Sequence, residues 1–219
     1  MLLHVITNPL VYARLKEELA LAAGRGLISV SATEAEIKQL PYLQACIKEG
    51  LRVYPPVVAL RDRLVPEGGD TLRGTFVPGG TNIGLNLPAL LRNEVFGSDP
   101  NVFRPERWLE ADAEQVQRME RVHELVFNYG FTRCLGIRLA NAMIGKFFVE
   151  VFRRWDLVST RPRQPWRSHE HGIPYQQDFY VRITKAEERN NNDNNEVVGC
   201  DLLRSLTPPY SAPRTPPLQ

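Results

Sequence analysis

This sequence predicts a mainly α-helical fold with a small antiparallel β-sheet (α+β), on three observations. Apolar residues recur at helical spacing in three stretches, around 9–24, 41–53 and 135–155. Between the second and third lie short β-branched and aromatic runs, cut by Pro66, Gly68-Gly69 and Pro78-Gly79-Gly80. A loop with a glycine near each end, Phe127 to Gly136, then leads straight into the last helical pattern.

The elements follow in chain order. The opening residues, 1–8, read like part of a helix. Asn8 can cap the next helix and Pro9 suits its first position. Leu10, Val11, Leu15, Leu19 and Ala22 then keep the helical period until Gly24 and Gly26 end it. Thr33-Glu34-Ala35-Glu36 has the form of a capping box. The helical region it opens reaches Tyr54 and stops at Pro55-Pro56, with Pro41 dividing it into a short helix and a longer one. Runs 57–65, 71–77 and 81–85 read as strands, 86–92 as a short helix, 97–109 as ordered coil and 112–123 as another short helix. In the last helix, Ile137, Ala140, Ile144, Phe147, Phe148, Val151 and Phe152 make a broad apolar face, which predicts a largely buried helix. Arg153 and Arg154 suit the negative end of its dipole. Residues 178–184 alternate enough to be a late strand. Residues 186–219 hold an asparagine run and a proline-rich end without hydrophobic period, and are expected to be a disordered tail behind one domain, 1–185.

Composition excludes several function classes. The 219 residues suffice for a core, and 43% hydrophobic with 24% charged residues is ordinary for a soluble globular chain. A net charge of +2 makes no case for nucleic acid. No apolar run approaches the roughly 20 residues of a membrane span. The start is too short for a signal peptide and lacks a basic flank. Cys46, Cys134 and Cys200 are far apart, with no CxxC pair to indicate zinc or a disulfide scaffold.

Three constellations carry chemistry. In the loop, a cysteine entering a helix N-terminus meets unpaired N–H groups and the positive end of the dipole, a setting that suits thiolate ligands and nucleophiles. Arg133 beside Cys134 adds a cation, and Gly130 and Gly136 allow a flat ligand to approach the backbone. A lone cysteine is as readily a small buried hydrophobe, so the loop by itself does not decide. The second constellation is Glu49 and Arg52, three apart on one helix face. On a surface such a pair contributes only about 0.2–0.5 kcal/mol. Among Ile47, Leu51 and Val53 it would be buried and would need further partners. The third, Pro105-Glu106-Arg107-Trp108, offers Arg107 as that partner. Two weaker readings stand beside these: a nucleophilic pair of Cys134 with His123, and a metal site at His169-Glu170-His171, for which an exposed polar loop is the plainer account.

Taken in order, Glu49-x-x-Arg52, Pro105-Glu106-Arg107-Trp108 and Phe127-x-x-Gly130-x-x-Arg133-Cys134-x-Gly136 resemble the cytochrome P450 family of heme-thiolate monooxygenases, from the first residues to about Lys185. The resemblance implies the C-terminal portion of that fold: J helix, K helix, small sheet, meander, cysteine loop and L helix. It implies that Cys134 is the axial ligand of heme iron and that Phe127, Gly130, Arg133 and Gly136 surround the cofactor. It also implies that Glu49, Arg52 and Arg107 form a buried charge network. The chemistry implied is O2 activation and hydroxylation of a lipophilic small molecule, with electrons from NADPH through a reductase. Two positions depart from the family's pattern: Asn128 stands where glycine is usual, and Thr132 where a basic residue often reaches a heme propionate. Asparagine tolerates positive φ better than most residues. Arg61 or Arg63 is the expected substitute for the missing cation.

Further expectations rest on the same resemblance. Residues 57–60 and 171–175 would line a distal, apolar substrate pocket. Arg138 and Lys146 would face the reductase. Arg63-x-x-Pro66-x-Gly68-Gly69 and Pro165-Trp166 are similar to fungal members of secondary metabolism. The family's membrane anchor, which holds such members at the endoplasmic reticulum, and its distal acid–alcohol pair are expected to lie outside this sequence. No catalytic residue is therefore assigned. A truncated, non-catalytic remnant or incomplete gene product is the alternative expectation.

Overall fold

In the computed structural model, residues 1–186 are described; the stretch expected to be a disordered tail lies, but for Ala186, outside the described residues. Helix α1 (Leu2–Ile6) leads into α2 (Pro9–Gly24), which Asn8 caps through its side chain to the Val11 N–H. Helix α3 (Glu34–Lys38) carries the expected capping box, with Thr33 and Glu36 bonding reciprocally. Helix α4 (Pro41–Val53) starts at Pro41 and runs to Val53, the residue before Tyr54 and Pro55-Pro56. The free N–H groups of Tyr42 (2.7 Å) and Leu43 (2.8 Å) at its N-terminus donate to the Glu18 carboxylate of α2.

Helix α4 divides the interior into two cores. On one side Leu43, Cys46 and Ile47 meet Val11, Leu15 and Leu19 of α2, with Phe148, Val149 and Phe152 of α8 (Ile137–Arg154). On the other, Ala45 meets Leu87 of α5 (Leu87–Leu90) and Leu91. Phe96, Trp108 of α6 (Arg107–Glu110), Met119 of α7 (Ala113–His123) and Val126 complete that core. Fully burying each large apolar side chain contributes roughly 1.5–3 kcal/mol, so neither core is a minor patch. Between α3 and α8, Gly145 allows a close crossing: a Cβ there would sit 2.7 Å from Ile37 Cγ2.

Among the described residues the strands form four two-stranded antiparallel sheets rather than one. Strand β1 (Arg63–Leu64) pairs with β4 (Asn82–Ile83). Run 71–77 is not one strand but a hairpin, β2 (Asp70–Leu72) with β3 (Thr75–Val77), turning at Arg73 and Gly74, both at positive φ. The last helix stops at Arg154 because Trp155 is extended and opens β5 (Trp155–Ser159), partner of β8 (Val181–Lys185). Strands β6 (Arg167–His171) and β7 (Ile173–Gln177) form a further hairpin in a stretch too polar to read as strands. Gly172 at its tip has φ +82, and its carbonyl accepts from the N–H groups of Val58 (2.8 Å) and Ala59 (3.2 Å). Residues 57–60 and the 171–175 turn are thereby brought side by side.

Helix α8 corrects the expectation of a largely buried helix. Its C-terminal half is buried through Phe148, Val149 and Phe152, but Leu139, Met143 and Phe147 are exposed. They recur every four residues, a stripe facing away from both cores. Among the described residues no helix is long and apolar enough to cross a membrane.

Candidate functional site

Two 3-10 turns, Glu124–Phe127 and Gly130–Thr132, build the cysteine loop. Between them Asn128 has φ 64 and ψ 174, and Gly130 has φ +67. Positive φ at residue 128 is what the sequence led one to expect of asparagine. The extended ψ, however, places it in a region that only glycine occupies freely, at a cost of order 1–3 kcal/mol. Its side-chain oxygen accepts from the Tyr129 N–H at 3.0 Å. The Cys134 N–H donates to the Phe127 carbonyl at 2.8 Å and closes the loop. Cys134 is exposed two residues before Gly136, the N-cap of α8. A Cβ on Gly136 would lie 3.7 Å from Cys134 Sγ. Phe131 and Leu135 flank the thiol and are almost wholly exposed, as is Arg133 in large part. Phe127 is half-buried against the second core.

Two arginines reach the loop from the segment after α4, in different ways. Arg61, at φ 49, donates from Nη1 to the Leu125 carbonyl (2.6 Å) and from Nη2 to the Val126 carbonyl (3.0 Å). Burial lowers its guanidinium from the ordinary range; the Cys134 sulfur opposes that shift and Arg63 adds to it. Arg63 is exposed and donates to Thr132 Oγ1 (2.5 Å) and more distantly to Asn128 Oδ1 (3.4 Å). The Thr132 hydroxyl in turn donates to the Tyr129 carbonyl at 3.2 Å. The two positions that depart from the family's pattern are thus both bonded to Arg63.

Glu49, Arg52 and Arg107 come together in the interior, each almost wholly buried. Glu49 Oε1 accepts from Arg52 Nη2 (2.8 Å), the Arg104 N–H (2.9 Å) and Arg107 Nε (3.0 Å). Its Oε2 accepts from Arg52 Nε and Trp108 Nε1, both at 2.9 Å. The remaining Arg52 donors go to the carbonyls of Leu91, Pro100 and Val102. Those of Arg107 go to the carbonyls of Phe96, Asp99 and Val102 and to Asp99 Oδ1. Burial pushes the Glu49 carboxyl up, but bonding to Arg52, the Arg52 charge, the Arg104 N–H and Arg107 outweigh it. The group is held below the usual carboxylate range. Asp99 and Trp108 are members that sequence reasoning missed. Trp108 adjoins Arg107 in sequence and shares its short helix, and that adjacency was the available signal. Asp99 lies in coil and had none.

The pattern of the cytochrome P450 family matches residues 1–180. The chain is 40% identical over 187 residues to the cytochrome P450 monooxygenase aba1 of Botryotinia fuckeliana, covering 85% of this chain and 37% of that protein. It is 36% identical over 186 residues to the cytochrome P450 monooxygenase ABA1 of Pyricularia oryzae, covering 84% and 36%. It is 42% identical over 170 residues to the cytochrome P450 monooxygenase abl1 of Leptosphaeria maculans, covering 75% and 30%. The chain belongs to the cytochrome P450 family. It spans little more than a third of the length of the first two relatives.

P450 membership implies heme, and the residues present fit it. The exposed Cys134 thiol at a helix entry would offer the iron a sulfur ligand, and Phe131 and Leu135 would offer the cofactor apolar contact. Gly130 and Gly136 carry no side chain to cover the backbone there, and exposed Arg63 would offer a cation for an acidic edge. The histidines do not share this site. The His123 Nε2 bonds the Lys48 carbonyl at 3.0 Å and its ring meets Trp108 edge-on, so it is no partner for Cys134. Burial lowers it to about 4, which makes it the neutral donor of that bond. His169 stacks on Tyr175 across the β6–β7 hairpin, and His171 is exposed beyond it. Among the described residues no group of three or more His, Cys, Asp or Glu side chains is arranged to hold a metal ion.

Proposed function

We propose that this chain carries the heme-thiolate side of a P450 monooxygenase, with Cys134 as the axial ligand of heme iron. The observation that carries the reading is the exposed Cys134 thiol at the entry of α8, its N–H pinned by the Phe127 carbonyl. When bound, heme supplies the redox chemistry by which O2 is activated and one oxygen atom enters a C–H bond, using electrons from NADPH through a reductase. The chain's own part is to hold and orient. Cys134 offers the sulfur, Phe127, Gly130, Arg133 and Gly136 border it, and free N–H groups at the start of α8 favour negative charge there. Arg63 is the cation for the heme propionates, since Arg61 spends its guanidinium on backbone carbonyls. Glu49, Arg52 and Arg107 brace the scaffold and touch no reactant.

The substrate in this reading is a lipophilic small molecule of fungal secondary metabolism. Val57, Val58, Ala59 and Leu60 lie beside the β6–β7 tip and give that side an apolar lining. Exposed Arg138 and Lys146 on α8 are the docking cations for an acidic reductase surface. Difference spectroscopy tests the reading: the purified chain is titrated with heme, reduced and exposed to carbon monoxide. A strongly red-shifted Soret band, lost in Cys134→Ala, supports it. No heme uptake by soluble wild-type chain overturns it and leaves a non-catalytic chain.

A further inference from the structure

We propose that Arg61 is a positioning residue for Cys134: it fixes the cysteine loop through the backbone and does not contact the cofactor. The proposal rests on the heme-thiolate reading above, but its geometry is independent of any ligand. Arg61 holds a left-handed backbone conformation (φ 49), uncommon for a non-glycine residue. Its two terminal nitrogens bond two consecutive carbonyls, Leu125 and Val126, more than sixty residues away in sequence. Such a fork needs a planar guanidinium; a lysine ammonium is a point donor.

Those carbonyls belong to the 3-10 turn Glu124–Phe127. The Leu125 carbonyl also accepts from the Asn128 N–H at 3.0 Å, at the strained residue that starts the loop. Next in the turn is Phe127, whose carbonyl takes the Cys134 N–H. The path from Arg61 to the thiol is therefore one hydrogen-bonded turn, one carbonyl and one amide. The strain at Asn128 would relax if the turn were free to rotate, and Arg61 holds it in place. Arg63, by contrast, bonds only side chains of the loop, Thr132 and Asn128, together with carbonyls of its own segment.

Amide hydrogen exchange on the heme-free full chain tests this, comparing wild type with Arg61→Gln, Arg61→Lys and Arg63→Gln. In Arg61→Gln the amides of Cys134 and Asn128 are expected to exchange at least tenfold faster, with α4 amides unchanged. Arg61→Lys should fall between, since it can hold one carbonyl, and Arg63→Gln should leave Cys134 near wild type. Unchanged Cys134 exchange in Arg61→Gln overturns the proposal. If that variant loses protection throughout α4 as well, Arg61→Lys decides: wild-type exchange at Cys134 in a folded lysine variant also overturns it. With heme added, Arg61→Gln should take up as much heme as wild type while part of its reduced carbon monoxide complex loses the red-shifted Soret band. Reduced heme uptake with unchanged Cys134 exchange would make Arg61 a cofactor contact and refute the positioning role. A wild-type chain that never shows the red-shifted band defeats the heme reading, and the exchange result then stands by itself.

Discussion

Replacing Glu49 with glutamine should cost the fold more than any other isosteric change in the buried charge network. The carboxylate accepts five hydrogen bonds, three on Oε1 and two on Oε2. An amide has one oxygen. If that oxygen takes the Oε1 position, the new NH2 faces the Arg52 Nε–H and the Trp108 indole N–H, donor against donor. The flipped amide sets three donors against it instead. Either way Arg52 and Arg107, both buried, lose the anion between them, and only the partly exposed Asp99 remains nearby. Breaking a buried pair by removing one partner costs about 3–5 kcal/mol, against roughly 5–15 kcal/mol for a whole domain. At a urea m-value of about 2–3 kcal/mol/M, the unfolding midpoint should fall by about 1–2.5 M. The pH dependence has a definite sign. The folded chain keeps Glu49 charged below the ordinary carboxylate range, so as pH falls the unfolded chain binds a proton first. Its contribution is full above the unfolded carboxylate value of 4.5 and is lost as pH drops through the lowered one. Glu49→Gln should lack that part of the acid slope. A loss below about 1 kcal/mol, or an acid slope identical to wild type, would refute the reasoning.

Two further outcomes follow from the loop and from the histidines. Asn128→Gly should be tolerated or slightly stabilising, because relief of backbone strain offsets the lost side-chain bond and the entropy of glycine. Asn128→Ala should be less stable than the glycine variant by about 1–3 kcal/mol, read from urea midpoints. His4 and His123 are each lowered by burial from 6.5 to about 4. Both are neutral in the fold, so the unfolded chain takes up their protons first and stability declines from pH 6.5 towards 4. His123→Phe should flatten part of that decline in a Tm-versus-pH series. An unchanged slope would show that His123 is solvated.

The helices were legible wherever caps and period agreed. Asn8-Pro9, the box at Thr33 and Glu36, and Pro41 mark starts that are local chemistry, and the structure begins its helices there. Strand pairing was less legible because it is decided between distant residues. Trp155 reads as the end of the last helix, and nothing before it marks the strand it opens until Val181–Lys185 lies beside it. Arg167–Gln177 is polar on both sides and gives no alternation to read. The same contrast holds at the site. Cys134, Glu49, Arg52 and Arg107 sit in spaced motifs, whereas Asp99 is found only by following the Arg107 donors. For Arg61 and Arg63 the sequence offers two equivalent cations two residues apart. Only the backbone turn at Arg61 separates one that grips carbonyls from one that faces outward.

The two cores should be separable in their effect on the site, because only one of them touches the loop. Val126 is buried in the second core, is gripped by Arg61 through its carbonyl, and directly precedes Phe127. Phe152 is buried in the first core, stacked on Phe148 at 5.3 Å, far along α8 from the cysteine. Phe152→Ala should cost about 3–5 kcal/mol of global stability, as large core truncations do. Val126→Ala removes two methyl-sized groups and should cost about 2 kcal/mol. Amide exchange at Cys134 should rank the variants in the opposite order. Val126→Ala loosens the turn that carries the Phe127 carbonyl, so Cys134 should open locally, with more acceleration than the amides of α2. Phe152→Ala should speed exchange across α2 and α4 while adding nothing specific at Cys134. If Phe152→Ala perturbed the loop more than Val126→Ala, coupling would run along α8 into its N-terminus and not through the turn. The Arg61 clamp would then lose its role, since it acts only on the turn.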